Sequence, residues 1–288
     1  MKEKKNIATL IIYCPDKLGI VSVVTEFLYK NGGNILYLDQ HVDHQEKVFF
    51  MRARWELDGF LIPAEKIGDY FHTLIGQKYS MTWELSFNYE TPRMAVFVSK
   101  LPHCLYDILA RYKSGEWDVE IPLIISNHTE LKHIADSFGI DFYFSHKNND
   151  NKYQQEQKEL EVLSNYKIDF VVLARYMQIL SKDFVDRYPS KIINIHHSFL
   201  PAFPGAKPYH SAYERGVKLI GATGHYVTSE LDAGPIIAQS VIQVNHKDTI
   251  ETMIRKGFDV EKIVLSKAIE AHLERRTLVY NNRTVVFE

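Results

Sequence analysis

Cysteine is nearly missing from this chain: two among 288 residues, Cys14 and Cys104. Two thiols cannot build the disulfide framework of a small secreted domain, and they point to a reducing compartment, the cytoplasm. Surplus charge is missing too. Lys and Arg number 34 against 36 Asp and Glu, a formal net charge of −2. That balance gives no global attraction for nucleic acid or for an anionic membrane. No apolar run approaches the roughly 18 residues that span a bilayer. The stretch over 7–12, behind the basic edge Met1-Lys2-Glu3-Lys4-Lys5, is too short for the core of a secretory signal. Internal repeats at a useful period are absent as well. What is present is ordinary globular composition, 45% hydrophobic and 24% charged. It is too apolar for a disordered chain, and its length suits two domains.

The polar stretch Leu85-Ser86-Phe87-Asn88-Tyr89-Glu90-Thr91-Pro92 ends in proline before a fresh apolar run, Met94-Ala95-Val96-Phe97-Val98. The join is therefore placed between 1–90 and 91–288. In the first segment, strands are expected over 7–13, 35–41, 47–57 and 81–87. Ile20, Val21, Val24, Phe27 and Leu28 recur at helical spacing, and a second helix is expected over 63–77. The resulting β-α-β-β-α-β order is the split, ferredoxin-like arrangement. In the second segment, short apolar strands over 93–99, 120–126, 141–145, 169–174 and 191–196 alternate with helices over 103–113, 129–138, 151–165 and 182–188. That alternation predicts a doubly wound, mainly parallel sheet, an α/β fold. A strand pair over 219–229 and 236–244 and a long helix over 249–272 follow.

Ligands of an open α/β sheet bind beyond the carboxyl ends of its strands. At one such end stands Ile193-Asn194-Ile195-His196-His197-Ser198-Phe199-Leu200-Pro201. Residues i and i+2 of a strand share a face, so Asn194 and His196 project together. An amide there can donate to a developing oxyanion, and an imidazole can move a proton near neutral pH. Equally, a His near a strand end can be a satisfied structural residue. His196 and His197 point to opposite faces if the strand continues, which makes them a poor metal pair, and no metal site is expected. Pro201, Pro204 and Pro208 would stiffen the loop that follows. Further on, Asp232 lies in Leu231-Asp232-Ala233-Gly234-Pro235. Alone it reads as a turn former; functionally, it can orient a water or hold His196 protonated. The run Tyr176-Met177-Gln178-Ile179-Leu180 leaves a strand end with apolar residues, which can line a pocket for a flat ring or pack a core.

Together, in this order and spacing, these pieces resemble the folate-dependent formyltransferase family from about Arg93 onward. The resemblance rests on Asn194-Ile195-His196, on Ser198-Phe199-Leu200-Pro201, and on His225-Tyr226-Val227 seven residues before Asp232. It implies a catalytic trio of Asn194, His196 and Asp232, and a substrate site at Met177, Gln178, Ile179, Leu180 and His225. The family's glycinamide ribonucleotide enzyme has a glycine-rich phosphate loop after its first strand. Here that place reads Ser99-Lys100-Leu101-Pro102-His103-Cys104-Leu105, without glycine. The N-terminal Cys14-Pro15-Asp16-Lys17-Leu18-Gly19-Ile20-Val21 looks like an ACT domain, a small-ligand regulatory module. An ACT domain ahead of a formyltransferase-like domain resembles the family's deformylase branch, as does His197, which replaces the usual proline. That branch implies hydrolysis of 10-formyltetrahydrofolate to tetrahydrofolate and formate, which feeds purine biosynthesis and balances one-carbon pools. The alternative is formyl transfer to an amine. The resemblance further implies a folate substrate, no separate cofactor, an amino-acid effector near Asp16, Gly19 and Asn34, and a homo-oligomer, with no nucleic-acid or membrane partner.

Overall fold

The computed structural model describes residues 5–148, 150–201 and 208–288. It divides into two compact units, Met1–Thr91 with Phe287–Glu288, and Pro92–Val286.

The first unit runs β1 (Ile7–Pro15), α1 (Ile20–Lys30), β2 (Asn34–Asp43), β3 (Val48–Glu56), α2 (Ala64–Phe71), α3 (Gln77–Tyr79) and β4 (Thr82–Phe87). The strands form one antiparallel sheet in the order β2-β3-β1-β4. Gly19 caps α1 at φ 89°, a left-handed conformation that costs glycine little. Ile20, Val24 and Leu28 of α1 and Ile67 and Phe71 of α2 are buried with Ile12, Met51 and Trp55 of the sheet. The helix expected over 63–77 is present, but its second half is a wide π-helical turn, His72–Gly76. There Trp83 comes so near that a Cβ on Gly76 would lie 3.2 Å from the indole Nε1.

The second unit contains a seven-stranded sheet. Its strands are β5 (Arg93–Val98), β6 (Glu120–Ser126), β7 (Asp141–Phe144), β8 (Phe170–Ala174), β9 (Ile192–His196), β10 (Leu219–Tyr226) and β11 (Ile236–Gln243). The spatial order is β11-β10-β9-β8-β5-β6-β7. Strands β9 through β7 are parallel, and β10 and β11 are antiparallel. Strand β5 shows why both faces must be covered. Met94, Val96 and Val98 enter one apolar cluster, and Ala95 and Phe97 the other, the period-2 alternation of a strand buried on both sides. The first cluster packs α4 (His103–Ser114), α5 (Lys132–Phe138) and α9 (Ile250–Leu273); the second packs α6 (Lys152–Asn165) and α7 (Lys182–Arg187). Chain order reverses between β5 and β8, so the crevice at their carboxyl ends is the switch point of the sheet.

Two elements escape the sequence patterns: α8 (Pro208–Arg215) and the hairpin β12 (Thr277–Tyr280)–β13 (Arg283–Val286). The hairpin turn is Asn281-Asn282, with φ 46° and 58°, the positive-φ pair of a type I′ turn. Asn-Asn was its signal, weaker than Asn-Gly. Among the described residues no helix is long and apolar enough to cross a membrane.

Candidate active site

The end of β9 and the end of β10 build the polar heart of the site. Antiparallel pairing sets Asn194 directly opposite His225, so their side chains meet. Nδ1 of His225 lies 2.9 Å from the Tyr226 carbonyl oxygen. A carbonyl only accepts, so Nδ1 carries the proton, and Nε2 accepts from the Asn194 amide at 3.2 Å. His225 is buried, and burial depresses its pKa. The neutral ring therefore fixes which way the Asn194 amide is turned.

Asp232 arrives from the turn after β10. It occupies left-handed backbone at φ 53°, which Asp tolerates better than most residues. Gly234 lets that turn close: a Cβ there would lie 1.8 Å from the Tyr226 carbonyl oxygen. The Asp232 carboxylate reaches His196 Nδ1 at 3.3 Å and His225 Nε2 at 3.8 Å. The hydrogen bond from His196 holds its carboxyl below the usual aspartate range, so Asp232 is ionised at neutral pH. Nδ1 of His196 therefore carries the proton. Its Nε2 is buried with no hydrogen-bond partner among the described residues, an arrangement that calls for a ligand or a water.

His196 and His197 were expected to face opposite ways if the strand continued. Strand β9 stops at His196, so strand alternation ends there. The two rings stack at 5.0 Å between centroids, and both line the same cavity. Burial, then the nearby Arg175 charge, push the His197 pKa down to about 4. Thr223 secures the loop beyond: its hydroxyl donates to the Ser198 carbonyl at 2.9 Å and accepts from Leu200 N–H at 3.0 Å. The proline-stiffened segment expected there falls largely on residues 202–207, outside the described residues.

The cavity holds about 290 Å³. Asn194, His196, His225 and Asp232 form its polar wall, and Met177, Gln178, Ile179 and Leu180 its other side. The Met177–Leu180 run hangs between two anchors. Met177 N–H donates to Ser99 Oγ at 3.0 Å, and Ser99 in turn donates to Asn127 Oδ1 at 2.7 Å. Ser181 N–H reaches the Glu156 carboxylate at 3.3 Å. Glu156 and Glu159 are wholly buried around Lys147, whose Nζ is 2.8 Å from Glu159 Oε2. Nothing in the polar helix 152–165 announces that two of its carboxylates face inward. Ser99, Arg175 and Glu156 are thus site-shaping residues that the sequence reading did not single out.

The three residues expected near an effector are not brought together. Asp16 and Gly19 share a shallow concavity with Gln40, Val42 and Phe49. Asn34 opens β2 opposite Glu56, at the other end of β3 from Val48, the partner of Pro15. Eight strand steps at about 3.4 Å put roughly 27 Å between those ends. Helix α1 carries the chain back along the sheet before β2 begins, which separates them.

The formyl transferase family matches residues 92–269, the span that holds this doubly wound sheet and the amide, imidazole and carboxylate at its cavity. The likeness is closer still when the whole chain is compared. The formyltetrahydrofolate deformylase of Synechocystis sp. is 53% identical over 280 residues, covering 97% of this chain and 98% of the relative. The crystal structure of a formyltetrahydrofolate deformylase from Pseudomonas syringae pv. tomato superposes with TM-score 0.96 at 43% identity, covering 100% of this chain and 96% of that one. Glycinamide ribonucleotide transformylase 1 from Symbiobacterium toebii reaches TM-score 0.66 at 30% identity, covering 71% of this chain and 98% of its own. The chain belongs to the formyltetrahydrofolate deformylase family.

Proposed function

We propose that this protein hydrolyses 10-formyltetrahydrofolate to tetrahydrofolate and formate. The observation that carries the reading is His196: Nδ1 lies 3.3 Å from the ionised Asp232 carboxylate, and buried Nε2 has no hydrogen-bond partner among the described residues, in a ring that lines the cavity with Asn194. In this mechanism the pterin lies along Met177–Leu180. Water attacks the formyl carbon while His196 Nε2 takes its proton, and Asp232 steadies the imidazolium that results. Asn194 spends one amide N–H on His225 and offers the other to the tetrahedral oxyanion. As the C–N10 bond breaks, His196 returns the proton to N10, and formic acid leaves and gives its remaining proton to solvent as formate. Charge stabilisation and proton transfer come from these side chains, and the reaction needs no redox or metal cofactor.

Formyl transfer to an amine is not favoured. The deformylases cover 97–100% of the chain, whereas the transformylase covers 71% of it. The assay is formate and tetrahydrofolate production with no amine present. Equal amounts of both support hydrolysis; consumption only on addition of an amine would reject it.

For the first unit, the reading is an ACT-like regulatory domain that binds a small amino acid in the concavity at Asp16 and Gly19 and helps further copies of the chain to associate. Titration calorimetry with methionine and glycine, beside sedimentation, tests it. Absence of heat with either ligand would leave association as that unit's task.

A further inference from the structure

We infer that a buried side-chain cluster, His103–Glu261–Tyr209–Arg175, plugs the switch-point crevice and keeps acceptors larger than water from the reaction cavity. The inference rests on the hydrolytic reading above and adds what enforces it.

The crevice between β5 and β8 is where an open α/β sheet accepts its ligands. Four residues separate β5 from helix α4, whose amino-terminal end carries partial positive charge suited to an anion. An anion from the protein itself is already there. Glu261 of α9 is wholly buried. It lies 2.8 Å from Nε2 of His103, the first residue of α4, and accepts from Tyr209 Oη at 2.8 Å. The guanidinium of Arg175 stands 3.5 Å away. Burial pushes the Glu261 carboxyl up, but those two hydrogen bonds and the Arg175 charge outweigh it and keep the group ionised.

Three further features show how tightly the plug is seated. The His103 ring lies flat on Phe258 at 4.0 Å. Arg175, the first residue after β8, holds φ 61°, a strained conformation that persists where surrounding contacts over-determine it. Tyr209 reaches Glu261 past Gly257, where a Cβ would lie 2.0 Å from the tyrosine hydroxyl. The Tyr209 ring is 6.2 Å from His197, and His197 is 5.0 Å from His196. The plug thus extends from the start of α4 to the wall of the cavity.

A metal does not account for the cluster. His103, Cys104 and Glu261 offer ligand atoms within 4.8 Å of one another. Yet Arg175 sits against the shared carboxylate, and burial raises the Cys104 pKa so far that the thiol stays protonated.

The test supplies 10-formyltetrahydrofolate and O-phosphoethanolamine to the wild type, His103→Ala and Glu261→Gln, each first shown to fold by thermal unfolding. In transfer, the amine nitrogen attacks the formyl carbon, the C–N10 bond breaks, and the proton shed by the amine passes to N10. His103→Ala is expected to raise the ratio of formylated amine to formate at least ~10-fold, with a smaller gain for ethanolamine, which lacks the anion. Glu261→Gln removes the internal anion while keeping its volume. Inorganic phosphate should then inhibit hydrolysis at least ~10-fold more strongly than in the wild type. Folded variants with wild-type product ratios and wild-type phosphate response overturn the inference. So does inhibition of the wild type itself by inorganic phosphate at matched ionic strength, an arm that needs no variant. A wild type that yields no formate without an amine is a different result, and it strikes the hydrolytic reading instead.

Discussion

Asn194 donates to Nε2 of His225 across an antiparallel strand pair, at 3.2 Å. The bond exists because the other nitrogen of His225 is committed to a backbone carbonyl. It turns an amide that could flip into a donor of fixed direction. Replacing His225 with Phe keeps the bulk and removes the acceptor. The expected result is a fall in kcat of ~10-fold or more with KM nearly unchanged, read from steady-state formate release. A matching loss confined to KM would show that His225 serves substrate binding alone.

Asp232→Asn keeps the shape of the turn and removes the charge that holds His196. Turnover is expected to drop at least ~100-fold while folate binding stays within a few-fold, measured by single-turnover kinetics beside equilibrium titration. Wild-type turnover in the folded variant would remove Asp232 from the mechanism.

Gly234→Ala is expected to act on Asp232 at a distance of two residues. The added methyl would meet the Tyr226 carbonyl at 1.8 Å, so the turn must move and carry the carboxylate away from His196. Loss of activity should exceed loss of stability: kcat falls at least ~10-fold while unfolding free energy falls by about 1–3 kcal/mol. An active Gly234→Ala enzyme would mean that Asp232 need not sit where the turn holds it.

The pH dependence of stability follows from two buried imidazoles. Burial pushes His272 down to about 3, and burial with the Arg175 charge pushes His197 down to about 4. Both lie below the unfolded value near 6.5. Between those limits the unfolded chain binds protons that the folded one refuses. Stability from these groups is therefore complete above pH 6.5 and declines as pH falls toward 4. His197 alone contributes about 3 kcal/mol over that window. Melting temperature should fall from pH 6.5 to 4.5, and His197→Asn should flatten the decline. A flat wild-type profile would contradict the burial of these rings in neutral form.

Much of this arrangement was legible in residue order. Short, nearly continuous apolar runs marked β5, β6, β8 and β9, because strands buried between two helical layers are apolar on both faces. Asn194 and His196 were legible as neighbours on one strand face, whereas Asp232 alone read as a turn former and joined them only through the family resemblance. The stacking of His197 on His196 was not legible, since strand alternation says nothing of a ring that follows the strand's last residue, His196. Glu156, Glu159 and Glu261 were hidden for another reason. A carboxylate on a helix looks solvated until tertiary structure supplies its partner, and Lys147, His103, Tyr209 and Arg175 all come from distant segments. Asn34 was misgrouped with Asp16 and Gly19 because closeness in sequence does not reveal which end of a sheet a helix returns to.

Water attack on the formyl carbon is tested most directly by running the reaction in H₂¹⁸O with no amine present. Hydrolysis predicts one labelled oxygen in each formate, released in equal amount with tetrahydrofolate and almost lost in Asp232→Asn. Formate without label, or no formate until an amine is added, would contradict it.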